Sequence, residues 1–287
     1  MVRIQYASDL HINDWPDQTN YENFIIPVAP VLIVAGDICS ALDKSYTSFL
    51  RWCSRNWKLV IIITGNHEYY KMERLTMTLS DGQITHGEMV PMSMTNIDKF
   101  IARLTASYPN IIFLQNGASY ILPGTNIRVV GATLWSAIDP MIHEEIQEKK
   151  GDYNATFTET HMGIRPTTPA DICALHALQK AYLTSAIAPK QQRETIIVVT
   201  HHMPTLNMLE PHYRGERWHS CYASSDDELL APNVSVWICG HSHRATHWQS
   251  PTGPLVIMNA RGYNRIEEQT RQEDIYNPQA YFDIADR

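Results

Sequence analysis

Residues 237–245 read WICGHSHRA: an apolar run stops at Gly240, and two histidines then flank one serine, with Arg244 after them. Alternate residues of an extended segment point the same way. His241 and His243 therefore read either as ligands facing one crevice or as ordinary loop residues beyond a buried strand. The residues just past the other apolar runs decide between the two.

Short aliphatic and β-branched runs also occupy residues 4–7, 31–35, 59–64, 127–131, 196–200 and 255–258. Runs this short and continuous suit strands buried on both faces. Helices are expected around 44–56, 96–107 and 169–188, the last with Leu175, Leu178, Tyr182 and Leu183 on one side. Strands alternating with helices predict a layered α/β core. Residues 71–95, rich in Met, Thr and Gly, and the polar residues 137–168 show no strong strand period and read as surface excursions beside a site. No repeat, low-complexity tract or long Pro/Gly/Ser linker divides the chain, so residues 1–287 are expected to form one domain.

The first run ends in Ser8, Asp9, Leu10 and His11, the second in Gly36 and Asp37, and the third in Gly65, Asn66, His67 and Glu68. His201 and His202 come directly after a later one. In a layered α/β sheet the carboxyl ends of neighbouring strands open onto one crevice, where such groups can converge. Asp, His and Asn without cysteine favour manganese, iron, zinc or magnesium. Seven or eight donors are too many for one tetrahedral ion. Two ions about 3.5–4 Å apart, sharing a carboxylate, would use them all and would clamp the attacking and leaving oxygens of an in-line phosphoryl displacement. Gly36, Gly65 and Gly240 allow the sharp turns that bring ligands and backbone close together.

Composition narrows the alternatives. A hydrophobic content of 44% with 18% charged residues is that of an ordinary globular protein. A formal charge of −7 argues against broad electrostatic binding to nucleic acid or anionic membrane. No window approaches a membrane span, and MVRIQYASDLH lacks the features of a secretory signal. Five scattered cysteines, none in a CxxC spacing, suggest a reduced, cytoplasmic setting without a thiolate zinc site.

Taken together, DLH at 9–11, GD at 36–37, GNHE at 65–68, HH at 201–202 and GHSH at 240–243 resemble the calcineurin-like metallophosphoesterase superfamily in its usual motif order. TLW at 133–135, GNHEYY at 65–70, VVTHHMP at 198–204 and NARGY at 259–263 are similar to a bacterial and phage-type subgroup of small cytosolic members. The resemblance implies an α/β (α+β) four-layer sandwich, two mixed β-sheets packed face to face and flanked by helices, with a dimetal centre at one edge. It also implies that Asp9, His11, Asp37 and His243 hold one divalent ion and Asp37, Asn66, His201 and His241 the other, with Asp37 as the bridge. Manganese is the first expectation for both ions, with iron, zinc and cobalt as alternatives. The chain departs from the usual pattern at Ile38 and Cys39, where GDxxD or GDxV is common, and at Thr200, where glycine often precedes the histidine. Neither change removes a ligand, but the second leaves His202 either behind the ligands or facing the substrate.

On this reading a hydroxide between the ions attacks phosphorus in line, and His67, one residue beyond a ligand, acts as general acid at the leaving oxygen. Glu68 is open between supporting a site imidazole and making an exposed ion pair. Arg244, Arg261 and Tyr263 join His202 as candidate substrate contacts, since arginines grip phosphates by a bidentate fork. Residues 213–219, with Arg214, Arg217 and Trp218, are a candidate pocket wall. The expected substrate is a small-molecule phosphoester or a nucleotide, either monoester or diester. Two other readings stand beside it: a non-catalytic scaffold that grips a partner protein, which would tend to lack His67, and a Ser/Thr protein phosphatase. The sequence does not fix the oligomeric state.

Overall fold

The computed structural model describes residues 1–287 apart from 71, 79–83, 150, 189–193, 252, 270–272 and 287, with backbone alone at 72–78, 84–90, 267 and 269. In chain order, β1 (Val2–Ala7), β2 (Val31–Ala35), α1 (Lys44–Asn56) and β3 (Leu59–Ile63) precede a hairpin of β4 (Met72–Thr78) and β5 (Ile84–Pro91). Next come α2 (Met94–Thr105), β6 (Ile111–Phe113), β7 (Ala118–Ile121) and β8 (Ile127–Ala132). After these stand α3 (His143–Lys149), α4 (Asp152–Ala155), a hairpin of β9 (Phe157–Thr160) and β10 (Gly163–Pro166), and α5 (Pro169–Ile187). The last stretch holds β11 (Thr195–Thr200), β12 (Val234–Cys239), β13 (Ala245–Gln249), β14 (Leu255–Asn259), α6 (Ile266–Gln269) and β15 (Tyr281–Ile284).

One sheet runs β15-β1-β2-β3-β6 and the other β13-β14-β12-β11-β8-β7. Both are mixed: their central strands are parallel, while β15, β7 and β13 join antiparallel. Strand alternation accounts for the uninterrupted apolar runs. In β2, Val31, Ile33 and Ala35 pack between the sheets with Ile61, Val129, Ile197 and Val199. Leu32 and Val34 point the other way, into a core with Phe49 and Leu50 of α1 and Ile97 and Ile101 of α2. Ile196 and Val198 of β11 likewise turn outward onto Leu183 and Ile187 of α5. Burying such a side chain is worth about 1.5–3 kcal/mol, which favours an unbroken apolar run through the middle of each of these strands. The result is a four-layer helix–sheet–sheet–helix sandwich, as expected.

Three expectations change in detail. Helix α5 starts with a Thr168–Asp171 capping box, and its buried stripe runs through Ile172, His176, Gln179, Leu183 and Ile187. Leu178 and Tyr182 lie outside that stripe, 47% and 43% exposed. The segment 72–91 pairs as an antiparallel hairpin rather than a loop. Residues 137–168 fold into two short helices and a hairpin, and bury Ile142, Ile146 and Tyr153 against the first sheet's helical layer. A run that looks polar overall thus carries its own apolar spacing. Among the described residues no helix is long and apolar enough to cross a membrane.

A polar knot pins the end of β3, where the third motif begins. Tyr69 Oη donates to Asp98 Oδ1 of α2 at 2.7 Å, and Gln115 Nε2 donates to the same carboxylate at 3.0 Å. Thr64 Oγ1 stands 2.8 Å from both Tyr69 Oη and Thr133 Oγ1, which ties the knot across to the other sheet. Burial pushes the Asp98 carboxyl up to about 6 against an ordinary 3.8. The folded state therefore holds a proton that the unfolded chain has already lost, and stability falls as pH rises from about 4 to about 6, by roughly 3 kcal/mol. Asp98→Asn keeps the acceptor oxygen and removes the charge. Urea unfolding at pH 4 and pH 7 should show the variant gaining on the wild type at the higher pH.

Candidate metal centre

The strand ends deliver their polar side chains through unusual backbone. Asp9, His11, Asp37, His241 and His243 all have left-handed φ, of 53°, 43°, 56°, 74° and 54°. Such a conformation costs a non-glycine residue about 1–3 kcal/mol and persists only where neighbours enforce it. Here Asp9 N donates to Gly36 O at 3.0 Å, His11 N to Asp37 O at 3.1 Å, and Gly240 N to His201 O at 2.8 Å. Glycine permits the remaining close approaches. A Cβ at Gly65 would lie 2.2 Å from Asp37 Oδ1, and one at Gly240 would lie 2.6 Å from Asp9 Oδ2.

Three overlapping groups of donors result: Asp9, His11 and His243 in one, Asp37, His201 and His241 in a second, and His11, Asp37 and His67 in a third that shares a residue with each of the others. His11 Nε2 stands 3.1 Å from His243 Nε2 and 3.8 Å from Asp37 Oδ2, so the groups adjoin. Asn66 Oδ1 lies 3.1 Å from His201 Nε2. All seven residues that the motifs nominate as ligands are therefore brought together.

The donor chemistry fits cations. His201 Nδ1 lies 2.8 Å from the Ala35 carbonyl, so as the donor there it leaves Nε2 as a lone pair turned towards Asp37. Burial by itself would lower the His201 imidazole, but Asp37 and Asp9 outweigh it and push it up to about 10. Burial holds His11 and His241 well below their ordinary value, in the neutral form that ligates. Burial would raise Asp37 too, yet His201 and His67 hold its carboxyl well below the usual range. The cluster suits positive charge at its centre, which a metal ion held by these residues would supply while displacing protons.

Around these donors stand residues that fix them. Glu68 is fully buried rather than an exposed ion-pair partner. Its carboxylate accepts from the backbone N–H of Gly65, Asp37 and Ile38 at 2.7, 2.9 and 2.8 Å, and so clamps the second turn to the third. Burial and the nearby Asp37 push this carboxyl up to about 8, against the pull of its N–H donors. Asp152, from the 137–168 segment, accepts from Asn66 Nδ2 at 2.9 Å and from Tyr70 Oη, which turns the Asn66 oxygen towards His201. Glu268 of α6 lies 3.1 Å from His243 Nδ1 and accepts Tyr263 N–H at 2.6 Å. Sequence reasoning missed Asp152, Tyr70 and Glu268. Only Tyr70 carried a signal, through its place in GNHEYY.

A cavity of about 840 Å³ opens over the donors, lined by Asp37, Asn66, His67, His241, His243 and Tyr263 on its floor. Tyr213, Arg217, Trp218 and His219 form part of its wall, as expected of residues 213–219. Arg214 instead turns away to the carbonyls of Leu209 and Asn207. Of the candidate substrate contacts, Tyr263 lines the floor with its hydroxyl 2.8 Å from His67 Nε2. Arg244 reaches the wall, but its guanidinium pairs with Asp274 and with Glu210 at 3.3 Å. Arg261 is a correction: its guanidinium lies 3.8 Å over the Trp15 ring and 4.2 Å over Phe24, away from the cavity. His202 is another correction, because it is buried between Trp135 and His241 and lines no part of the cavity. Its ring packs 4.2 Å from that of His241, behind the donor.

A four-layer sandwich with two adjoining Asp/His donor groups at the carboxyl ends of its strands is the architecture of a metal-dependent phosphoesterase. The chain belongs to the calcineurin-like phosphoesterase family, whose sequence profile matches residues 2–245. It is 24% identical over 296 aligned residues to Uncharacterized protein L509 of Acanthamoeba polyphaga mimivirus, covering 98% of this chain and 96% of that one. Among solved structures it is similar to Phosphopantetheinyl Hydrolase (PptH) from Mycobacterium tuberculosis, with a TM-score of 0.64 and 16% identity over 94% of this chain and 93% of that one. That likeness is one of fold.

Glu68→Ala removes the acceptor of three buried N–H groups. Since stranding a buried donor costs about 1–3 kcal/mol, the variant should unfold at a clearly lower urea concentration than the wild type. It should also bind manganese more weakly in calorimetric titration.

Proposed function

We propose that the chain is a binuclear-metal-dependent hydrolase of phosphate esters, acting on a small-molecule or nucleotide ester. The observation that carries this reading is the pair of adjoining donor groups with His67 beside them, its ring nitrogen within 4.8 Å of donor atoms of both His11 and Asp37. Asp9, His11, Asp37 and His243 would hold one ion, and Asp37, Asn66, His201 and His241 the other. Manganese is the first ion to test, with iron, zinc and cobalt after it. Such a pair of ions, when bound, supplies a nucleophile at neutral pH and offsets the charge on the phosphoryl oxygens.

The chain's own residues do the rest. His67 lies on the cavity floor, where its imidazole can pass a proton to the departing ester oxygen as the P–O bond breaks. The backbone N–H of His67 donates to Asp37 Oδ1 at 2.8 Å, which ties the turn carrying the general acid to the carboxylate that would bridge the ions. Glu68 keeps the Asp37 and Asn66 turns in register. Tyr213, Trp218 and Tyr222 on the wall give flat faces to a substrate of nucleotide size. A recessed floor under such a wall suits a small ester better than a segment of folded protein, which separates this reading from a protein phosphatase.

Manganese-loaded protein should hydrolyse a generic aryl phosphate monoester or diester, and chelation should abolish the activity until manganese is restored. His67→Ala should lower kcat about 10²–10⁴-fold with metal content retained, whereas Asp37→Ala should lose both. Elemental analysis of His241→Ala and His243→Ala should show each losing one ion of the two. A wild type that binds two ions and turns over neither ester type would support the scaffold reading instead.

A further inference from the structure

We propose that Tyr263 is a positioning residue for His67: its hydroxyl holds the imidazole at the angle from which the proton reaches the leaving oxygen. The inference rests on the hydrolase reading above and adds to it the group that orients the general acid.

The geometry is specific. Tyr263 Oη lies 2.8 Å from His67 Nε2, and among the described residues this is the one hydrogen bond to a ring nitrogen of His67. The ring also packs obliquely on Tyr70, with centroids 4.1 Å apart and planes at 31°, and meets His11 edge to face at 4.5 Å. Those contacts hold the ring in place but make no bond to its nitrogens; the hydroxyl does. A phenol also suits the task chemically. It can donate to Nε2 or accept from Nε2–H, so it keeps its hold whichever protonation state His67 is in, without a charge of its own.

Tyr263 is itself anchored, which an orienting group must be. Its N–H donates to Glu268 Oε2 at 2.6 Å, and Glu268 in turn lies against His243 Nδ1. Its ring packs 4.3 Å from His11 and 4.4 Å from His243, and the Arg265 guanidinium lies 4.3 Å over it. The general acid is thereby connected to a ligand of the first ion through Tyr263 and Glu268, two residues beyond the stretch that the family profile matches. In the reaction the P–O bond breaks with its electron pair going to the leaving oxygen, and the proton on His67 Nδ1, the ring nitrogen that Tyr263 does not hold, goes to that same oxygen. Tyr263 neither gains nor loses a bond; it keeps the ring from turning.

The test uses full-length manganese-loaded Tyr263→Phe, which retains the ring packing and removes only the hydroxyl. Steady-state kinetics would compare phenyl phosphate, whose leaving oxygen needs a proton, with p-nitrophenyl phosphate, whose leaving oxygen needs it far less. The expected result is a kcat about 10- to 100-fold lower for the phenyl ester, a drop several-fold smaller for the nitrophenyl ester, KM little changed, and two ions per chain by elemental analysis. Combined with His67→Ala, the substitution should add almost nothing, because the two residues act as one unit. Equal losses on both esters, a lost ion, or additive losses in the double variant would each overturn the proposal while leaving the hydrolase reading in place. A wild type that turns over neither ester would overturn that reading and this inference with it.

Discussion

Asp9 and Asp37 are two carboxylates buried side by side at the ends of β1 and β2, and each occupies a left-handed turn that its side chain alone would not favour. Everything around them answers that cost. The turns are laced to one another by backbone hydrogen bonds, Asp9 to Gly36 and His11 to Asp37, and Glu68 ties the second turn to the third. Gly36, Gly65 and Gly240 let these backbones approach to distances at which a Cβ would collide. Parallel neighbours in one sheet are what set such turns next to each other, so the fold is a condition of the site and not simply its support.

The layered architecture was legible because burial on both faces leaves a strand few polar positions. Residues 31–35 hold none and 234–239 only Ser235, and each observed strand coincides with its apolar run. Edge strands escape that logic. Tyr281–Ile284 of β15 is largely exposed and takes its place by pairing with Val2–Gln5, almost the whole length of the chain away. Nothing local distinguishes it. The same holds for β13, whose residues 245–249 are all at least partly exposed.

The site was legible to the same depth. Donors that sit one residue past an apolar run announce themselves by spacing, and His241 and His243 are the clearest case: they fall into different donor groups. Groups that hold those donors do not announce themselves. Asp152 stands beside the charged run EEIQEKKG and looks like another solvated carboxylate until the chain folds it against Asn66. Glu268 belongs to a four-residue helix with no motif, and Arg261 looks like a phosphate ligand because sequence cannot show that Trp15 and Phe24 lie under it.

The short bridge between Ser8 and Ala260 joins the first strand to the strand before the final helix, and Gly262 N–H completes it by donating to Asp9. One half of the centre therefore comes from the opening residues of the chain and its closing contacts from residues past 260. During synthesis the early donors, Asp9, Asp37 and Asn66, emerge long before His241, His243 and Glu268. A segment that holds Asp9, Asp37 and Asn66 without His241 and His243 lacks part of both groups to which those histidines belong, so the two sheets must meet before either group is whole.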